Sequence, residues 1–497
     1  TDAFVGMSLI DSAISIPDSI KTIGDRAFSE CSNIPSITIS PNSKLTSIGN
    51  AAFYKCKKIE SIVIPPGVKT ISEYAFYQCE NLKEITILSR IEDSTSSITI
   101  EDYAFYGCSQ LTKNLTLPEG LTSIGEGAFQ ECAKLGGPIT FPYSLTTIKE
   151  RAFMGCGSLT GSLNFDVNVE EVGKYAFRDC RGLDGINIID YYGVDSYTIY
   201  LHEGAFYGCS GLKGDLNIPI RCQLKKTIKE VKPDGSTTTR YETSSNVFKG
   251  CSSLDGQLTL PATIKEIPAG TFCDCSLLNG QVKNDLEYIG REAFKNCAKF
   301  TGSVDLSSYD HSRFVGSYAF YNCIGLNGQL IFRELSNEVF IKIGEYAFYN
   351  CNGLTGPLNC SSLSVIEKYA FTGCSGLNGS LIFGLYLLKV GEYAFADCTG
   401  FSGTLSFRSI MDNELSIEES AFKGCTGFKD GTLLIIMDRS NSAMKPSGSY
   451  YLKIERNAFE DTKFKDIRYI GRDQPDCDCD IGIPSRKGIH TSSNYEG

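Results

Sequence analysis

A single motif governs how this chain can fold. Sixteen phenylalanines, from Phe28 to Phe422, are each followed three residues later by cysteine, from Cys31 to Cys425, and most are led by alanine. Ala3-Phe4 is a partial opening copy with Met7 in the cysteine place, and Ala458-Phe459 is a closing one with Thr462 there. The commonest spacing between the phenylalanines is 24 residues. A period of that length points to a stack of short units, although 497 residues would ordinarily make about three or four globular domains.

The units read alike. After Cys79, Leu82, Ile85 and Ile87 form an L-x-x-I-x-I pattern, whose alternation predicts a short strand with one buried face. Phe and Cys three apart predict a short helical turn. An acid two residues before the alanine, such as Asp25, Glu73 or Glu126, suits the positive end of such a helix. One strand and one helical turn in about 24 residues is the leucine-rich-repeat unit, which buries its apolar face only against stacked neighbours. The expected architecture is an α/β solenoid: a right-handed superhelix with a parallel β-sheet on the concave face and short helices or turns on the convex face. It comprises 17 to 18 rungs over residues 1–470, stacked at about 4.8 Å into a rod or arc about 80 Å long. Residues 471–497 read as a capping or disordered tail.

The pattern I-G-x-x-A-F-x-x-C-x-x-L-x-x-I-x-I-P resembles BspA-like leucine-rich repeats, found on host-associated bacteria and trichomonad parasites. Ile124-Gly125-Glu126-Gly127-Ala128-Phe129, with Cys132 and Leu135, carries the resemblance, which extends from residue 3 to about 470. Many rungs depart from it by an added residue before the strand, as in Leu159-Thr160-Gly161-Ser162-Leu163-Asn164-Phe165, where Gly161 predicts a bulge or a kink. The resemblance implies a secreted or cell-surface module that binds extracellular-matrix proteins such as fibronectin or fibrinogen, or host or microbial cells.

Twenty-one cysteines would suggest disulfides in a secreted protein. Sixteen of them hold one repeat position, however, and parallel Cβ vectors in register are poor disulfide geometry. A buried ladder of free thiols is expected instead, with no metal and no cofactor. Cys477 and Cys479 sit apart in an acidic tail, as a capping disulfide or in unstructured chain.

Four insertions widen the spacing, near residues 190–200, 221–245, 408–416 and 437–452. The largest predicts a β-hairpin turning at Pro233-Asp234-Gly235. Lys225, Lys226, Lys229, Lys232 and Arg240, together with Arg221, make it basic within a chain of net charge −11, either as a solvated hairpin or as a contact for an acidic partner.

Three further features are candidate binding elements. The outward residues of the L-x-x-I-x-I strands form a row whose candidate ligand contacts are Thr86, Thr116, Thr140, Asn164, Asn187, Asn217, Thr259, Ile331 and Ile382. A polar β-branched row also suits any solvated sheet. Tyrosines flank the repeat Ala-Phe, as Tyr74 and Tyr77 do, and suit either rung-to-rung stacking or a binding surface. Asn114, Asn359 and Asn378 stand in glycosylation triplets, with Asn114 and Asn378 the candidates for modification.

The acidic balance disfavours nucleic acid, and no apolar run is long enough to span a membrane. No enzymatic motif is present, so an enzyme is not expected. The reading is an adhesion module, with a self-stacking structural scaffold as the alternative. Self-association would proceed through the first rung, which lacks a polar cap.

Overall fold

The computed structural model describes residues 1–88, 97–112, 114–166, 168–189, 198–231, 237–282, 286–307, 314–332, 341–409, 415–437, 452–470 and 489–491. The chain divides into two compact units, Thr1–Pro261 and Ala262–Gly497. Each is a parallel β-solenoid of the same rung.

The expected helix at Ala-Phe-x-x-Cys does not form. The segment is a succession of tight turns, and the one helix among the described residues is the 3-10 turn Thr426–Asp430. Backbone bonding gives the reason. Ala51, Phe53 and Lys55 donate N–H bonds to Glu73, Ala75 and Tyr77 of the next rung at 2.7–2.8 Å. Ala52, Tyr54 and Cys56, between them, donate to residues three back in their own rung. Alternate donors therefore leave the segment, and no i→i−4 ladder survives. The alternation requires left-handed backbone at two places per rung, as at Ala51 (φ 53°) and Lys55 (φ 55°). Phe and Cys still share one buried face, so the three-residue spacing was a true signal of a turn but not of a helix.

Each rung contributes two kinds of strand. In the first unit nine parallel strands pair in chain order, from Thr22–Ile23 through Thr147–Ile148 to Cys222–Gln223. In the second unit eight do so, from Glu266–Ile267 to Leu452–Ile454. These continuous sheets come from the short segment before the motif, which buries an Ile or Val and turns the preceding residue outward. The L-x-x-I-x-I strands, expected to make the single sheet, are often longer than these but pair over fewer rungs. They form pairs such as Ser61–Ile64 with Glu84–Ile87, together with a four-stranded set that begins at Leu405–Ser409. The expected bulge at Gly161 is present as a register shift against Leu183–Ile188.

The core is a column of stacked phenylalanines. Centroids from Phe4 to Phe248 are 5.2–5.6 Å apart in the first unit. From Phe272 to Phe459 they are 5.0–5.5 Å apart in the second. Burial of each ring is worth roughly 1.5–3 kcal/mol, and ring-to-ring geometry adds about 0.5–1.5 kcal/mol.

The thiols form a second column beside it. All nineteen described cysteines are free and buried. In most rungs the Sγ–H donates to the carbonyl of the previous rung's phenylalanine, as from Cys56 to Phe28 at 3.0 Å and from Cys374 to Phe348 at 3.0 Å. Burial pushes Cys56 and Cys374 up to about 12. Thr462 occupies the same place in the last copy and bonds to Phe459 of its own rung instead.

Candidate protein-binding faces

The outward residues of the L-x-x-I-x-I strands meet in register across rungs. Thr116 bridges Thr140, Asn217 lies opposite Thr259, and Thr86 lies opposite Val63. Asn187 Nδ2 donates to Asn164 Oδ1 at 2.8 Å. In the second unit Ile331 faces Asp305 and Ile382 faces Asn359, leaving the two isoleucines 36% and 45% exposed. Thr86 is half-buried, and the rest of the candidate row is exposed.

The continuous sheets carry another outward row, which the sequence reading had not singled out. In the first unit it runs Thr22, Ser47, Thr70, Thr99, Ser123, Thr147, Glu171, Tyr200 and Gln223. In the second it includes Lys342, Val365, Lys389, Ser416 and Lys453. There Lys342 and Lys389 both pair with Glu367, at 2.8 and 3.2 Å, and Lys389 also pairs with Glu418 at 2.9 Å. Burial raises Glu367, but hydrogen bonds from the two lysines outweigh it and hold the carboxyl below its ordinary value. A two-residue strand is too short to show alternation, which is why this row was missed.

The tyrosines stack. Tyr54, Tyr77 and Tyr106 form one column at 5.0 and 4.7 Å, and Tyr74 stacks on Tyr103 at 5.4 Å. In the second unit Tyr318, Tyr346, Tyr369 and Tyr393 stand 4.8–5.1 Å apart. All are half-buried. The rings lie face to face, so they cover one another more than they offer faces to a ligand. Tyr103 donates its hydroxyl to Glu126, and burial together with that bond pushes the phenol up to about 12.

The hairpin is present as the antiparallel pair Lys225–Val231 and Thr237–Thr243, with Ile228 opposite Arg240. The side chains of Lys225, Lys226, Lys229 and Arg240 lie outside the described part, as do Lys232 and the turn at Pro233-Asp234-Gly235. Cys477, Cys479 and the tips of the other insertions also lie outside it. Arg221 is described and has a structural role: its guanidinium donates to the carbonyls of Phe165, Asp166, Val169 and Ile189. Asn114 and Asn378 are exposed, whereas Asn359 is half-buried and accepts the Ser361 N–H.

A cleft of about 390 Å³ opens on the face of the first unit's sheet. Glu126, Thr147, Ile148, Lys149, Glu150, Glu171, Gly173, Lys174, His202 and Glu242 line it. Arg151 holds Glu126 and Glu150, and Lys174 pairs with Glu242 at 3.1 Å across to the hairpin's second strand. His202 is 7% exposed; its Nε2 lies 2.7 Å from Glu171 Oε1 without hydrogen-bond alignment. These residues come from five stretches of chain joined only by stacking, so no local motif announces the cleft. Among the described residues no group of three or more His, Cys, Asp or Glu is placed to hold a metal, and no helix is long and apolar enough to cross a membrane.

The fold and its stacked outward rows define a leucine-rich-repeat solenoid, a class of scaffold suited to protein binding. The pattern of the BspA type Leucine rich repeat region (6 copies) matches residues 1–98, 98–227, 241–378, 304–429 and 341–471. The chain belongs to that family. Solved structures similar to it include a leucine-rich repeat protein from Bacteroides ovatus ATCC 8483, at 23% identity over 93% of each chain and a TM-score of 0.43. A leucine rich cell surface protein from Faecalibacterium prausnitzii A2-165 is 20% identical over 93% of this chain and 88% of that one, with a TM-score of 0.33. The pneumococcal vaccine antigen PcpA is 18% identical over 75% and 88%, with a TM-score of 0.38. No curated protein matches the chain.

Proposed function

We propose that this chain is an adhesion module, secreted or held at a cell surface, that presents its repeat faces to extracellular-matrix proteins or to host or microbial cells. The observation that carries the reading is the outward row on each continuous sheet. The strand donors of a stacked rung are spent on its neighbours, so what a row offers is one side chain per strand at strand spacing. Contacts that are weak singly add up when they repeat at a fixed interval. Family membership supports binding over catalysis.

The test is surface plasmon resonance of the purified chain against fibronectin, fibrinogen and whole cells. Saturable binding is expected, together with its loss when Thr99, Ser123 and Thr147 are jointly replaced by lysine. Absence of saturable binding to any of these surfaces removes the adhesion reading.

A further inference from the structure

The outward row of the second unit's L-x-x-I-x-I strands has a pattern that a merely solvated sheet lacks. Asp305 faces Ile331, Asn359 faces Ile382, and Ser406 faces Leu434. These strand pairs follow one another in the stack, so polar and apolar residues alternate rung by rung. Ile331 and Ile382 are exposed and Leu434 is half-buried. A single exposed apolar residue is ordinary, whereas three in one row at a fixed interval form a patch that a ligand can cover.

The interval selects the ligand's backbone. Two strand spacings separate successive apolar residues by about 9.6 Å. An extended strand repeats a face every two residues, about 6.7 Å, and misses that interval. An α-helix returns every seven residues, about 10.5 Å, and drifts by about 1.8 Å over the three anchors. A polyproline II segment returns every three residues, about 9.3 Å, and drifts by only about 0.6 Å. The residues between the anchors agree with this choice. Asn359 takes the Ser361 N–H on its side-chain oxygen at 3.0 Å, so its amide hydrogens are what it offers a ligand, and Ser406 offers a hydroxyl. A polyproline II backbone has no internal hydrogen bonds and its carbonyls need donors, whereas a helix has spent its own.

Charge gives the row a polarity. Asp305 accepts the Ser307 N–H at 2.9 Å, and among the described residues no cation pairs with it. Arg468, which faces Leu434 at the other end, is held by Asp466 at 2.6 Å. A ligand with a basic residue at the Asp305 end is therefore complementary.

We propose that this row docks a polyproline II segment of a protein ligand, laid across the strands with an apolar side chain at every third residue and a basic one beyond the first. The proposal rests on the reading of the chain as a protein-binding scaffold and names the ligand chemistry at one place on it. Ile331, Ile382 and Leu434 receive the apolar side chains, Asn359 and Ser406 donate to the carbonyls between them, and Asp305 receives the basic residue. Such a segment is ordered before it binds, so little conformational freedom is lost on docking.

The test uses the full chain and a labelled, blocked peptide of three Pro-Pro-Leu triplets with lysine at one end, made in both orientations and followed by fluorescence anisotropy. Saturable binding of at least one orientation is expected. A peptide of the same composition with leucine at every second residue should bind at least about tenfold more weakly, as should an alanine-based helix with leucine at every seventh. Ile331→Asp and Ile382→Asp should each weaken binding about tenfold and Asp305→Asn about threefold. Ile220→Asp, at another exposed isoleucine in the first unit, should leave it unchanged. Thermal unfolding reports whether each variant is folded, and Ile331→Thr and Ile382→Thr are the milder changes if the aspartate variants are not. No saturable binding, equal or tighter binding of either control peptide, or an unchanged affinity in the folded Ile331 and Ile382 variants overturns the proposal. Because the probe contains no matrix protein, binding of the triplet peptide without matrix or cell binding refutes the adhesion reading alone, and the reverse result refutes the docking row alone.

Discussion

The two units share one scaffold but have different faces. Both stack phenylalanines at about the same interval and hang thiols from the previous rung's carbonyls. Their outward sheet rows diverge. The first unit shows Thr70, Thr99, Ser123 and Thr147, small and uncharged, next to a cleft lined by charged residues of both signs. The second shows Lys342 and Lys389, already neutralised by Glu367 and Glu418. At the left-handed position two residues after the phenylalanine, the first unit often has glycine, as at Gly107, Gly155 and Gly208. The second has glycine there at Gly373 and Gly424, but also a run of Asn296, Asn322 and Asn350, whose amides bond head to tail at 3.2 and 3.1 Å. The core tolerates one solution, whereas positions facing water are free to differ, so specificity can change without disturbing the stack.

The largest expected effect should be common to both units. Raising a thiol from 9.0 to about 12, as at Cys56 and Cys374, thins its thiolate about a thousandfold. A thiol-reactive disulfide reagent at pH 8 should leave both untouched in the native chain and titrate both after unfolding. Native labelling confined to one unit would break the equivalence of the ladders.

Next comes the phenylalanine column. Phe153→Ala and Phe371→Ala should each cost about 3–5 kcal/mol in denaturant unfolding. Both rings are fully buried and stacked on both sides, so a much smaller loss at one of them would show that the columns are not alike.

A smaller effect separates the faces. Glu367→Gln should destabilise the second unit by about 0.5–1 kcal/mol at pH 7. The folded carboxyl sits below its unfolded value, so its contribution is present above about pH 4.3 and is lost as pH falls through the lower folded value. The difference between wild type and Glu367→Gln, followed by thermal melts from pH 7 to pH 2, should shrink toward zero in acid and should also fall in high salt. A difference that persisted at pH 2 would mean that the lysines are not its cause. Smallest of all, Thr147→Ala on the first unit's row should stay within about 0.5 kcal/mol and show no such pH dependence.

The sequence carried most of the scaffold. Phe and Cys three apart placed the core, Gly161 marked a register shift, and the 221–245 insertion read as a hairpin. The helix was misjudged because a three-residue repeat of buried positions is common to helices and to linked tight turns. The distinguishing clue was present: Gly107, Asp179, Asn296, Asn350 and Gly373 all stand two after the phenylalanine, where residue types that accept a positive φ are concentrated. The candidate faces were less legible. The L-x-x-I-x-I row could be counted off by alternation, but Thr-Ile dipeptides show no period. The cleft depends on Glu126, Glu150, His202 and Glu242 becoming neighbours only after four rungs have stacked and a hairpin has folded back.

The rung's hydrogen bonds have directions. The amides of its turn segment reach forward, as Phe53 does to Ala75, while the amide that follows its short strand and its thiol reach back, as Gly49 does to Ile23 and Cys56 to Phe28. Most joints within a unit are therefore the same plug and the same socket. Such a stack counts in whole numbers. A complete rung spliced in or out leaves every remaining joint satisfied, whereas a fraction of one sets phenylalanine against strand and severs both bonds at once. Copy number is then the variable that recombination can change most freely. The length of the outward rows, and with it the number of side chains they present, is open to change without the invention of a single new interaction.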